Sequence, residues 1–305
     1  MEFHVGLLFI DGVGIGKKDE KSNPFFRAQL PVLTELCGGT PLHLPFIPIS
    51  TERSEVIAVQ ATLGVSGLPQ SGTGQTALFT GVNGAKKFGR HFGPYPPSVL
   101  RPVIAEKNIF RQLKTNGNTV AFTNAFPQKF FEYVESGSKR LTVATLSCLE
   151  TGIPLRTVND LQNDEGISAD FIRGYWPEAG HPEITQISAY KAGKHFSKIA
   201  INYDFTIFEY WLTDHAGHKQ KMNEAVEILE RFDNFLQSVI ESVNLDNTLL
   251  MLISDHGNIE DLSTKSHTRN PVPCILVGKH RKKVASTIKS LTDVTPALLK
   301  LFIDR

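Results

Sequence analysis

Seven residues of metal-binding or nucleophilic type punctuate this chain of 305 residues: Asp11, Ser71, Asp214 with His218, Asp255 with His256, and His267. Three carboxylates, three imidazoles and one hydroxyl suffice for two divalent cations. Mixed oxygen and nitrogen ligation suits Zn²⁺ or Mn²⁺ better than Ca²⁺, with Mg²⁺ as a third alternative. Two such cations about 4 Å apart activate an attacking oxygen and take up charge on a phosphoryl group. The offset of four between Asp214 and His218 puts both on one face of a helix, or together in a tight turn, and either geometry chelates. Taken singly each residue has a plainer explanation: Ser, Asp and Gly close turns, and a serine before a helix is usually its N-cap.

The elements expected around them explain why the set matters. Leu249–Asp261, LLMLISDHGNIED, is an unbroken apolar run that stops at Asp255 and His256. Such a run reads as a strand buried on both faces, and ligands bind at the C-terminal edge of open α/β sheets. Val5–Ile10 is a second such run, ending at Asp11. Glu55–Val65 predicts a further strand leading into LPQSGTGQTALFTG (68–81), whose Ser71 falls at a helix N-terminus closed by Gly81. There the amides and dipole favour negative charge. A helix over 108–114, a turn at Asn116-Gly117 and a strand over 119–124 follow. Phe205–Leu212 restores the strand pattern and runs into TDHAGH. Met222, Ala225, Leu229, Phe232, Leu236, Val239 and Val243 then fall at helical spacing, a core-facing stripe. His267 precedes one more strand, and a terminal helix contains Pro296–Phe302. Residues 17–50 read as a loop with one short helix, and Lys17, Lys18 and Lys21 as a solvated face. The glycines after Asp11 lack the third glycine and helix opening of a dinucleotide loop.

Composition excludes several function classes. With 32 basic against 31 acidic residues, there is no charge excess for nucleic acid or an anionic membrane. No stretch approaches the roughly 20 apolar residues of a membrane span. Three widely spaced cysteines, Cys37, Cys148 and Cys274, make neither a disulfide framework nor a zinc site, which fits a reducing, cytoplasmic location. The opening MEFHVGLLFIDG lacks the features of a signal peptide. The expected fold is a three-layer α/β sandwich with a mostly parallel sheet. Residues 1–126 and 198–305 form its metal-binding core, and 127–197, where the pattern weakens into aromatics, arginines and turns, a small inserted cap.

The ordered set resembles the alkaline phosphatase superfamily of metalloenzymes, and within it the branch of cofactor-independent phosphoglycerate mutase and phosphopentomutase. The likeness covers Val5–Gly14, Leu68–Gly81, Trp211–His218, Ser254–Asn258 and His267, and ends with LTDVTPALLKLF at 291–302. It implies that Asp11, Ser71, Asp255 and His256 hold one metal and that Asp214, His218 and His267 hold the other. It also implies that Ser71 is the nucleophile rather than Thr73, because Ser71 stands five residues before Thr76-Ala77 and ten before Gly81.

The chain departs from the branch at Gln75. The mutases tend to carry Ser/Thr-x-x-Gly-His at the nucleophile, whereas this sequence has Ser71-Gly-Thr-Gly74-Gln75. Sulfatases need Pro and Arg soon after theirs, and both are absent. A mutase must also exclude water while its intermediate reorients, and between Ser71 and Asp214 only about 70 of 142 residues remain for a cap. Hydrolysis of a small phosphate mono- or diester through a phosphoserine is therefore the expectation, with a mutase as the alternative and a non-catalytic metal-stapled module as a further one. Arg90, His91, Arg140 and Arg156 are the candidate substrate contacts, since arginine suits bidentate phosphate recognition. His215 is expected beside the metals or facing solvent, and His4, His43 and His181 are read as structural.

Overall fold

The computed structural model describes residues 2–137 and 140–303. Seven strands form one sheet: β1 His4–Ile10, β2 Ile49–Ser50, β3 Ser54–Val59, β4 Val120–Phe122, β5 Phe205–Tyr210, β6 Thr248–Ile253 and β7 Val272–Gly278. Their order is β2-β3-β7-β6-β1-β5-β4. The centre, β6-β1-β5-β4, is parallel, whereas β7 is antiparallel to both β6 and β3, and β2 to β3. All strands except β2 and β7 thus run the same way, and the C-terminal ends of β1, β4, β5 and β6 share one edge. Because β7 runs the other way, the loop before it, which carries His267, meets that edge too.

β1, β5 and β6 are buried almost throughout, as apolar runs covered on both faces must be. Val5, Leu7 and Phe9 point into a cluster with Ala77–Phe79 of helix Ser71–Thr80 and with helices Val143–Thr151 and Val294–Ile303. Leu8 points the opposite way, into a cluster with Phe196 of helix Ala189–Ala200 and Phe232, Phe235 and Val239 of helix Met222–Ser242. The sheet with its two helical faces is the expected three-layer sandwich, and the stripe from Met222 is indeed a core face.

Several boundaries differ for identifiable reasons. The strand expected over 55–65 stops at Val59, because Leu63 (φ 53°) and Gly64 (φ 68°) turn the chain through the left-handed region. The strand from Phe205 ends at Tyr210, since Trp211 has helical backbone and caps helix Leu212–Lys219. Residues 17–50 hold the expected short helix, Pro31–Leu36, but also a 3₁₀ turn at Pro24–Phe26 and the edge strand β2. Within 127–197, helices Val143–Thr151 and Ala189–Ala200 belong to the two main layers. The stretch around Trp176 packs instead with Ala125, Leu161 and Ile184 in a small cluster of its own, and helix Gln128–Glu135 has no fully buried residue.

Helices Ala189–Ala200 and Met222–Ser242 approach closely at Gly193, where a Cβ would stand 2.5 Å from the Phe235 carbonyl oxygen and 2.7 Å from Ser238 Cβ. On an exposed helix Gly→Ala would add about 1 kcal/mol of stability. Here the clash is with backbone, which yields only by separating the helices, so overpacking wins. Gly193→Ala is expected to lower stability by about 1–3 kcal/mol. Urea denaturation measures it, and a midpoint at or above wild type would show that the contact is looser than described.

Candidate metal centre

Five elements deliver the site to the sheet edge. Asp11 follows β1, and its carbonyl oxygen accepts from Thr213 Oγ1 at 2.5 Å, which ties the end of β1 to the start of helix Leu212–Lys219. The alternative of helix or turn for Asp214 and His218 resolves as helix, so both project from one face and His218 Nε2 lies 3.3 Å from Asp214 Oδ2. Asp255 and His256 follow β6. His267 comes from the loop before β7, and Ser71 from the first turn of its helix. The N-cap there is Gln70, whose side chain makes no cap bond, so Ser71 is the first helical residue. Its hydroxyl is free for another role.

Two groups of donors converge. Asp214, His218 and His267 offer ligand atoms within 4.8 Å of one another, and so do Asp11, Asp214 and His256. The first group is the trio implied by the resemblance. In the second, Asp214 stands beside the Asp11 set rather than apart from it, while Asp255 Oδ2 lies 3.6 Å and Asp11 Oδ1 3.3 Å from His256 Nε2. Ser71 Oγ is 2.9 Å from the same nitrogen. Thr73 is committed elsewhere: its hydroxyl donates to the Gln70 carbonyl and accepts from the Phe92 amide.

The imidazoles are oriented by their other nitrogens. His267 Nδ1 meets the Pro69 carbonyl at 2.8 Å and His218 Nδ1 the Lys265 carbonyl at 2.8 Å. A carbonyl only accepts, so each Nδ1 carries the proton and each Nε2 turns a lone pair inward, as in oriented metal-ligating histidines. The two Nε2 atoms face each other at 3.1 Å. The rings of His256 and His267 stack at 3.8 Å.

The electrostatics fit a cationic guest. Burial, then the neighbouring Asp255 and Asp214, pushes the Asp11 carboxyl well above its usual range, and burial raises Asp255 as well. Burial acts to raise Asp214 too, but its contact with His218 and the nearby His256 and His267 hold it below the ordinary value. Burial and the neighbouring His256 push His267 down to about 4, and its contact with Asp214 raises His218. Asp11 Oδ1 and Asp255 Oδ2 are buried without a hydrogen-bond partner, a costly condition that a divalent cation relieves. The donor set and these orphaned oxygens fit divalent metals.

Supporting residues went unrecognised in the sequence. Asn258 Nδ2 donates to Asp214 Oδ1 at 2.6 Å and Gln75 Nε2 to Asp11 Oδ2 at 3.4 Å. Glu260, 1% exposed, accepts from the amides of Gly14 and Asn258, from Thr268 Oγ1 and from Asn270 Nδ2, tying the loops after β1 and β6 to the His267 loop. Asn258 and Glu260 lie in the NIED run beside Asp255; a buried glutamate in a turn has no periodic signal. The four substrate candidates scatter. Arg140 lines cavities next to the site. Arg90 lies over the Phe88 ring, His91 Nε2 meets the Val65 carbonyl, and Arg156 pairs with Asp160 and Tyr203. His215 is exposed and lines the site cavity. His4, His43 and His181 contact Tyr203, Leu44 and Glu183 respectively.

Comparison with known proteins places this arrangement. Residues 181–303, which carry Asp214, His218, Asp255, His256 and His267, match the Metalloenzyme superfamily. The chain is 33% identical over 107 residues to a 2,3-bisphosphoglycerate-independent phosphoglycerate mutase of Antithamnion sp., covering 32% of this chain and 21% of that protein. It is 31% identical over 134 residues to the enzyme of the same name from Salmonella typhimurium, covering 41% and 24%. The matched part thus spans about a quarter of these relatives or less. In fold, the whole chain aligns with an alkaline phosphatase from the Antarctic bacterium TAB5 (TM-score 0.56, 12% identity, 100% of both chains). A Leishmania mexicana phosphoglycerate mutase aligns less closely (TM-score 0.50, 10% identity, 99% of this chain and 95% of that one). No described helix is long and apolar enough to cross a membrane. The sequence match to the Metalloenzyme superfamily thus covers the part of the chain that carries five of the seven metal-site residues, and over its whole length the chain has an alkaline phosphatase-like fold.

Proposed function

We propose that this protein transfers the phosphoryl group of a small phosphate ester to Ser71 and then to water. The observation that carries this reading is the placement of Ser71 Oγ, at a helix N-terminus and 2.9 Å from His256 Nε2, beside the orphaned oxygens of Asp11 and Asp255. A structural metal staple would need no buried hydroxyl there. Asp11, Ser71, Asp255 and His256 would hold one cation, and Asp214, His218 and His267 the other. Divalent cations, when bound, supply positive charge that activates an attacking oxygen and offsets charge gathering on phosphoryl oxygens.

The chain's own residues would do the rest. Ser71 Oγ attacks phosphorus, the bond to the ester oxygen breaks, and the alcohol leaves with a proton; water then cleaves the phosphoserine and releases phosphate. The helix dipole favours negative charge at Ser71 throughout. Asn258 and Gln75 fix Asp214 and Asp11, and the Nδ1 contacts of His218 and His267 fix both rings. Helix Gln128–Glu135, with the aromatic loops of 127–197, would act as a small cap over the cavity.

A second reading, a mutase, is favoured by the names of the sequence relatives. Water exclusion argues for hydrolysis, since the His218 side chain is 46% exposed and the site cavity is open. Following 3-phosphoglycerate by phosphorus NMR separates the two: free phosphate is expected, and conversion to the isomeric ester without it would establish the mutase.

Ser71→Ala is expected to lower turnover of phosphate esters by at least about a thousandfold while leaving metal content nearly unchanged, because the other ligands remain. Steady-state kinetics beside elemental analysis measures both. A variant of near-wild-type rate would mean that water attacks directly.

The metal-free protein should lose stability as pH rises from 6.5 to 8. In this window the folded state binds more protons than the unfolded chain through two groups: burial, and next Asp255, pushes Glu209 up to about 8, and the contact with Asp214 raises His218 above its ordinary value. His267, lowered to about 4, is neutral in the folded state, while in the unfolded chain it loses its proton around pH 6.5, so it opposes this slope at the acid end of the window and fades above about pH 7.5. Each raised group removes up to about 1.4 kcal/mol per pH unit. Thermal melts should show a falling midpoint in chelator and a much flatter profile in Mn²⁺; a midpoint that rises with pH in chelator would contradict this electrostatic account.

A further inference from the structure

The space beside Ser71 exceeds what a phosphate and a three-carbon chain require. A cavity of about 750 Å³ adjoins the metal site, and Tyr95, Thr142 and Trp211 line both. That size lies in the range of about 300–1,000 Å³ that accommodates a drug-sized ligand. Its walls are aromatic. Phe126 and Phe130 stack at 4.2 Å with 20° between their planes, Tyr133 and Tyr175 continue the wall, and Trp211, 42% exposed, stands at the junction with the Ser71 site.

One carboxyl group is set into this lining. Glu209 alternates along β5 with Phe205 and Ile207, both in the core, so packing alone would favour an apolar residue at its position. Its backbone is fixed by Asn124, whose Oδ1 accepts from the Glu209 amide at 2.8 Å and whose Nδ2 donates to the Glu209 carbonyl at 2.7 Å. The residue is 4% exposed. Oε2 accepts from Thr142 Oγ1 at 3.4 Å, while Oε1 is buried without a partner. An unsatisfied buried oxygen is costly, about 1–3 kcal/mol, and a donor on a ligand bound in this cavity would relieve it.

We propose that this cavity binds a flat heteroaromatic ring bearing an N–H donor, so that the substrate class is a heteroaromatic phosphate ester of nucleotide type. The ring lies against Phe130 and Trp211, its N–H points to Glu209, and its phosphate reaches Ser71. An aliphatic ester would bury little apolar surface here and leave Oε1 unpaired. The proposal rests on the phosphoryl-transfer reading only for the phosphate end; the ring site stands on the cavity itself. A nucleobase and the protonated, pyridinium form of a pyridoxal-type ester share this chemistry, and separate probes distinguish them.

The test titrates the Mn²⁺-loaded protein with adenosine and guanosine monophosphates, pyridoxal phosphate, glycerol phosphate and the free nucleosides, by calorimetry and by tryptophan emission. Trp176 is fully buried and Trp211 lines the cavity, so a stacked ring quenches Trp211. At least one ring-bearing ester is expected to bind tenfold or more tighter than glycerol phosphate, about 1.4 kcal/mol, with quenching. That preference should fall at least fivefold in Glu209→Leu and in Phe130→Ala. Leu replaces a buried, half-satisfied carboxyl with an apolar side chain of similar size, so Glu209→Leu should stay folded; circular dichroism checks both variants. A preference below tenfold, or one that survives both substitutions, overturns the proposal. Free nucleosides bind whether or not Ser71 accepts a phosphoryl group. Ring binding without turnover would therefore fell the catalytic reading alone, and turnover without ring preference would fell this one alone.

Discussion

The constraint on which the structure turns is the crowding of buried carboxylates at one edge of the sheet. Asp11, Asp214, Asp255 and Glu209 come from three neighbouring strands, β1, β5 and β6, and perturb one another's ionisation. Their polar partners are imidazoles, amides and hydroxyls. Among the described residues no Lys or Arg pairs with any of the four. Negative charge concentrated in low dielectric without a fixed countercharge is unfavourable, and proteins keep such arrangements where a bound cation completes them. The fold supplies the strain and the metals would supply its relief.

Parallel strands make that crowding possible. β1, β5 and β6 all end on the same side, so a residue placed just past each strand arrives at the same place. β7 contributes from its other end because it runs the opposite way. The helix beginning at Ser71 brings its positive end to the same edge. Glu260 then locks three of the connecting loops together, which converts a convergence of strand ends into fixed distances between side chains.

Much of this was legible in the sequence, because Asp11, Asp214, Asp255 and His256 follow long apolar runs that announce buried strands, Ser71 opens a Gly-rich helix start, and His267 precedes one more apolar run. The Asp214 and His218 spacing was legible for the same reason, a helical offset on one face. What stayed hidden depends on tertiary contact. Glu209 sits inside an apolar strand and reads as an interruption, and only the sheet shows that it lines a cavity with Phe130 and Trp211. Asn258 and Glu260 act through loops that meet only after folding. Arg90, His91 and Arg156 looked suited to phosphate by residue type, but the folded chain gives them partners away from Ser71. The segment 127–197 lacked periodicity because its helices are short and divided between the two layers and the region above the cavity.

The most direct test of the central claim is a crystal structure grown with Mn²⁺ and measured at a wavelength where manganese scatters anomalously. The account predicts two anomalous peaks roughly 4 Å apart, one among Asp214, His218 and His267 and the other among Asp11, Asp255, His256 and the Ser71 hydroxyl. A single peak, or none at this edge of the sheet with the side chains placed as described, would contradict it.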